Sequence, residues 1–138
     1  MKLFLDSSVI LSACNSSTGA ARYICEQAGN HGWELLVAPY VETEVKWNLT
    51  GRPSHWQHYW QQLYPTLFFV EDILTFSFPV MFTTSKDKPI LFSAYASVEV
   101  LLTLDAKDFA ELLGGEFYGL AVRKPADFLM EQRRIGRI

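Results

Sequence analysis

The sequence predicts an α/β fold: one domain built on a central, mostly parallel sheet of about five strands, with helices on both sides. Three observations lead there. Short apolar runs such as Leu3-Phe4-Leu5, Glu34-Leu35-Leu36-Val37 and Val100-Leu101-Leu102-Thr103-Leu104 end in polar residues or proline, as buried parallel strands do. Stretches with helical periodicity alternate with them, the pattern of strand–helix–strand units. The chain has 138 residues, enough for one substantial core and too few for two.

Taken in order, Leu3–Leu5 forms the first strand and runs into Asp6-Ser7-Ser8. Val9–Ala13 makes a helical turn. After the breaker run 15–19, a helix from about Ala20 ends near Gly29-Asn30, which has C-cap chemistry. Glu34–Val37 is the second strand. Pro39 opens a helix through Leu49, with Val41, Val45 and Leu49 on one stripe. Ser54 is read as the cap of a helix through Trp56, Trp60 and Leu63 that ends before Pro65. A strand falls somewhere between Leu67 and Phe82. Pro89 opens a helix through Ile90, Ala94 and Val98, which feeds the strand Val100–Leu104 and so delivers Asp105. Asp108–Leu113 is a short helix stopped by Gly114-Gly115, Tyr118–Val122 a last strand, and Pro125 begins a terminal helix.

Composition narrows the function. Hydrophobic residues at 49% and charged residues at 20% exclude a disordered or fibrous chain. A net charge of −3 excludes a surface that is basic all round, so any nucleic acid is met locally. The local candidates are Arg133, Arg134 and Arg137 in the tail, and Lys86, Lys88 and Lys107 beside two acids; a solvated tail and ordinary surface lysines account for them equally well. Cys14 and Cys25 have neither zinc-site spacing nor a disulfide framework and read as buried free thiols. The residues before Asp6 are too few for a signal peptide's apolar region, and no stretch approaches a membrane span, so the expectation is a cytoplasmic protein without a membrane partner.

Four acids stand out by position. Asp6 and Asp105 fall at the carboxyl ends of predicted strands, where open parallel sheets place their ligand sites. Asp87 precedes the Pro89 helix, and Glu44 lies in the helix after the second strand. All four can face one pocket. Gathered carboxylates repel one another, raise some of their own pKa values and call for a hard cation, which in turn attracts phosphate. Topology alone fits a nuclease, a phosphatase or a phosphoacceptor receiver domain equally.

The order of the motifs goes further. Phe4-Leu5-Asp6-Ser7-Ser8-Val9-Ile10-Leu11-Ser12-Ala13 resembles the first motif of the PIN-domain family, and Val41-Glu42-Thr43-Glu44-Val45 its helix with a glutamate. Asp87-Lys88-Pro89-Ile90-Leu91 is similar to its third acid, Leu102-Thr103-Leu104-Asp105-Ala106-Lys107-Asp108-Phe109 to its fourth, and Tyr118-Gly119 to Pro125-Ala126-Asp127-Phe128-Leu129 to its closing strand and helix. The resemblance spans nearly the whole chain and is weakest between Gly51 and Ser85. It implies a metal-dependent endoribonuclease in which Asp6, Glu44, Asp87 and Asp105 are catalytic. Asp6, Asp87 and Asp105 would be the Mg²⁺ or Mn²⁺ ligands, and Ser7, Ser8, Thr103 and Asp108 would support them. Free-standing domains of this size resemble VapC-like toxins of toxin–antitoxin pairs. That implies an RNA substrate, a small antitoxin partner, a homodimer, and products with 5′-phosphate and 3′-hydroxyl ends. A PIN-like module that binds RNA or a protein without cutting is the alternative.

Two further groups have chemistry of their own. His31, His55 and His58 stand away from every acid motif and read as rim histidines. Trp47, Trp56, Tyr59 and Trp60 have the chemistry to stack unpaired bases, but their helical spacing favours a core or a partner interface.

Overall fold

The computed structural model describes residues 1–70, 100–105, 116–117 and 120–138. In chain order these form β1 (Lys2–Leu5), α1 (Ser7–Asn15), α2 (Ala20–His31), β2 (Glu34–Val37), α3 (Pro39–Leu49), α4 (Ser54–Leu63), a 3₁₀ turn (Tyr64–Thr66), β3 (Phe68–Phe69), β4 (Val100–Leu102), β5 (Glu116–Phe117), β6 (Leu120–Arg123) and α5 (Pro125–Arg134). The strand expected between Leu67 and Phe82 is met by β3 at Phe68–Phe69; the Pro89 helix, the Asp108–Leu113 helix, and with them Asp87, Asp108, Lys86, Lys88 and Lys107, lie outside the described residues.

The strands make one six-stranded sheet in the order β3-β2-β1-β4-β6-β5. Every neighbouring pair is parallel except β5 with β6, which is antiparallel. The mixed, mostly parallel α/β class is therefore the observed one. Leu3, Phe4 and Leu5 are each fully buried, and so are Leu101 and Leu102. Successive strand residues point to opposite faces, so both faces of the sheet are covered at β1 and β4. Burying Phe4 alone is worth about 3 kcal/mol.

The helices form because their apolar residues recur at helical spacing. In α1 the buried set is Val9, Ile10, Ala13 and Cys14, in α2 Ala21, Ile24, Cys25 and Ala28, and in α3 Val41, Val45 and Leu49. Helix α1 packs against α2, α3 and α4, while α2 also meets α5, so one connected layer of helices lies beside the strands.

Several boundaries differ from those expected from the sequence. Helix α1 is a full nine-residue helix rather than a single turn. Helix α2 runs through Gly29 and ends at Gly32, whose left-handed backbone (φ 69°) closes it. Pro53, with Ser54 already helical, stands at the N-cap of α4. The expected strand Tyr118–Val122 is observed as β6 at Leu120–Arg123, and Glu116–Phe117 adds the antiparallel edge strand β5.

Candidate metal and phosphate site

Sequence puts Asp6 directly after β1, where the chain leaves the sheet and turns into α1; its backbone (φ −71°, ψ 155°) is that of an N-cap residue. The carboxylate is almost fully buried, at 4% exposure. Two hydroxyls hold it: Ser8 Oγ donates to Asp6 Oδ2 at 2.7 Å, and Thr103 Oγ1 donates to the same oxygen at 2.8 Å. Each hydroxyl also accepts a backbone amide of the segment leaving β4, Ser8 Oγ from Leu104 at 3.0 Å and Thr103 Oγ1 from Asp105 at 3.0 Å. A single carboxylate oxygen thus organises the start of α1 and the exit of β4.

This explains why β4 ends at Leu102, two residues before the sequence reading placed its end. Thr103 still donates its amide to the Arg123 carbonyl across the sheet at 3.0 Å. Leu104 instead turns its amide to a side chain, and its own side chain is exposed. Asp105 therefore lies in the loop beyond the strand, half-buried and one residue past that turn.

Glu44 reaches the same end of the molecule by another route. It lies on α3, one residue before the buried Val45, on the side that meets α1. Ser7 Oγ donates to Glu44 Oε1 at 3.5 Å, a long bond that nevertheless places Glu44 beside the first residue of α1. Glu42 faces elsewhere: its Oε1 pairs with Lys46 Nζ at 2.8 Å and accepts from the Tyr64 hydroxyl at 3.0 Å. Two residues around a helix amount to about 200° at 3.6 residues per turn, so only one of the pair can serve this end of α1. It is Glu44.

Burial raises the Asp6 pKa above the usual carboxylate range. The Ser8 and Thr103 hydroxyls oppose that effect, as do the backbone amides of Ser7 and Ser8, because all four favour the charged form. None of those amides makes a full capping bond.

Asp6, Glu44 and Asp105 are thus brought to the carboxyl edge of the sheet, with Ser7, Ser8 and Thr103 between them. All the donors are oxygens, the set that suits a hard divalent cation such as Mg²⁺ or Mn²⁺, and a buried anion is stabilised by a cation beside it. Among the described residues, however, no three His, Cys, Asp or Glu side chains converge closely enough to enclose a metal. The other two acids named from the sequence, Asp87 and Asp108, lie outside the described residues.

The other candidates lie elsewhere. His31 stacks on Trp33 with ring centres 4.7 Å apart, and His55 Nε2 meets the Asn15 carbonyl at 3.3 Å. Tyr59 and Trp60 belong to the core, Trp56 lies under the Arg52 guanidinium at 4.9 Å, and Trp47 projects from α3 at 81% exposure. Cys14 and Cys25 are free and buried.

Sequence reasoning did not single out Lys124, which directly follows β6 as Asp6 follows β1 and Thr103 follows β4; a register count across those strands is the signal that finds it. Among the described residues no helix is long and apolar enough to cross a membrane. Compared with models of known protein families and with curated proteins, the chain matches none.

Proposed function

We propose that this chain is a metal-dependent endoribonuclease of PIN type that hydrolyses RNA phosphodiester bonds at the edge marked by Asp6. The observation carrying the reading is the buried Asp6 carboxylate, fixed through one oxygen by Ser8 and Thr103, with Glu44 and Asp105 beside it. An acid held by two hydroxyls at a parallel sheet's carboxyl edge is costly to bury as mere structure. Its rigidity is what a ligand needs to hold a cation in fixed geometry.

Asp6 and Asp105 would hold Mg²⁺ or Mn²⁺, with Asp87 as a further ligand. Such an ion, when bound, makes water more acidic and screens phosphate charge. Ser8 and Thr103 keep the Asp6 carboxylate from rotating. Glu44, placed by Ser7, orients the attacking water in line with the phosphorus and accepts its proton. By the same resemblance the biological setting is a toxin acting as a homodimer and silenced by a small antitoxin. A PIN-like module that binds without cutting is the second reading.

The test is cleavage of single-stranded and structured RNA with and without divalent metal. Activity with Mg²⁺ or Mn²⁺, little with Ca²⁺ and none after chelation supports the nuclease. Undiminished cleavage after exhaustive chelation contradicts it, and tight RNA binding without cleavage under any metal selects the second reading.

A further inference from the structure

We infer that Lys124 is an RNA-backbone contact of this site, taking a phosphate next to the one that is cut. The inference rests on the nuclease reading of the Asp6 edge and adds a substrate-positioning residue to it. The paired register runs Leu5 to Leu102 and Leu102 to Arg123 across β1, β4 and β6. One residue further on, Asp6, Thr103 and Lys124 directly follow the last paired residues of these three neighbouring parallel strands. Level residues of parallel strands project to the same side, as the Thr103–Asp6 hydrogen bond demonstrates for the first two. The backbone of Lys124 (φ −73°, ψ 150°) is nearly that of Asp6 (φ −71°, ψ 155°), so both leave the sheet and start a helix in the same way.

Two strand spacings put the Lys124 backbone about 10 Å from that of Asp6. The flexible lysine stem then carries its charge to the flank of the acids, clear of direct contact with them. The neighbouring cation is spoken for: Arg123 Nε is bonded to Glu131 at 2.7 Å, whereas no carboxylate among the described residues pairs with Lys124. Lys124 is half-buried and makes no capping bond for α5, so its charge has no evident part in holding the fold. Helices α1, α3 and α5 all begin at this edge, after Asp6, Ala38 and Lys124, but Glu42 and Asp127 in the first turns of α3 and α5 offset the positive ends of those two dipoles, so a phosphate here depends on a side-chain cation. An acidic chain that must grip a polyanion needs such a local cation.

The experiment compares the full-length parental chain with Lys124→Gln, Lys124→Arg and, as a control of equal charge change at the opposite edge, Lys2→Gln. Binding of a fluorescent single-stranded RNA is followed by anisotropy in Ca²⁺ across a salt series, and cleavage is measured in Mn²⁺. The inference expects Lys124→Gln to weaken binding five- to tenfold, to lower the slope of log K against log salt by about 0.7, and to raise KM while kcat changes less than about threefold. Lys124→Arg should restore most of the affinity, and Lys2→Gln should change nothing. Equal effects of Lys124→Gln and Lys2→Gln, or an unchanged salt slope, overturn the inference while leaving the nuclease reading intact. A parental chain that neither binds nor cuts RNA overturns both.

Discussion

Thr103 and Asp6, ninety-seven positions apart in sequence, are joined by a 2.8 Å hydrogen bond through a hydroxyl that also accepts the amide of Asp105. The fully buried Thr103 therefore couples two of the proposed acids. Thr103→Val keeps the shape and removes the hydroxyl, leaving Asp6 Oδ2 one donor short and the Asp105 amide without its partner. A stability loss of about 1–3 kcal/mol is expected from denaturant unfolding, with a 10- to 100-fold loss of cleavage. Thr103→Ser, which keeps the hydroxyl, should recover most of the activity. Equal damage from both replacements would assign Thr103 a packing role only.

The two glutamates of α3 should separate cleanly. Glu44→Gln removes the acid beside Ser7 and should cost cleavage orders of magnitude, whereas Glu42→Gln disturbs only the surface cluster with Lys46 and Tyr64 and should change the rate less than about threefold. Steady-state kinetics on the two variants decides between them. A reversed result would put Glu42 in the site.

The buried thiols give a pH signature independent of function. Desolvation pushes Cys14 up to about 11 and Cys25 up to about 12 from 9.0, in each case against the nearby Arg22 charge. Burial raises the Tyr59 hydroxyl as well. Groups whose folded pKa is raised hold their proton more tightly in the native state, so stability is fully kept below pH 9 and falls as pH rises from 9 towards 12. Urea midpoints should drop across that window. Both thiols should resist alkylation in the native protein and react fully in denaturant; rapid native labelling would show that α1 and α2 open readily.

Trp47 is expected to contribute little to the fold. At 81% exposure, Trp47→Ala should shift stability by no more than about 0.5 kcal/mol. A larger loss in thermal unfolding would mean that the indole is covered in the free chain.

What could be read from the sequence was what local pattern decides. The apolar runs at Leu3–Leu5, Leu35–Val37 and Val100–Leu104 announced buried strands, the last overrunning the end of β4 by two residues, and the stripe Val41, Val45, Leu49 announced the inner face of α3. Positions of Asp6 and Glu44 followed directly from those elements. Tertiary contacts were not legible. The end of β4 depends on Ser8 capturing the Leu104 amide, and the placing of Glu44 depends on Ser7, both across an interface that no local window contains. The α2 terminus was misplaced because two glycines lie near it, and only the left-handed backbone at Gly32 distinguishes the cap from Gly29. The relation of Lys124 to Asp6 is not legible in sequence because it exists only once β4 lies between their strands.

The most direct test of the proposed nuclease site is RNA cleavage in Mn²⁺ by the parental chain, Asp6→Asn and Asp105→Asn, each first shown by circular dichroism to be folded. Each substitution removes an anionic oxygen and keeps the shape. The expected result is metal-dependent cleavage by the parental protein and loss of at least about 100-fold in both variants. Cleavage by both folded variants at the parental rate would contradict the account.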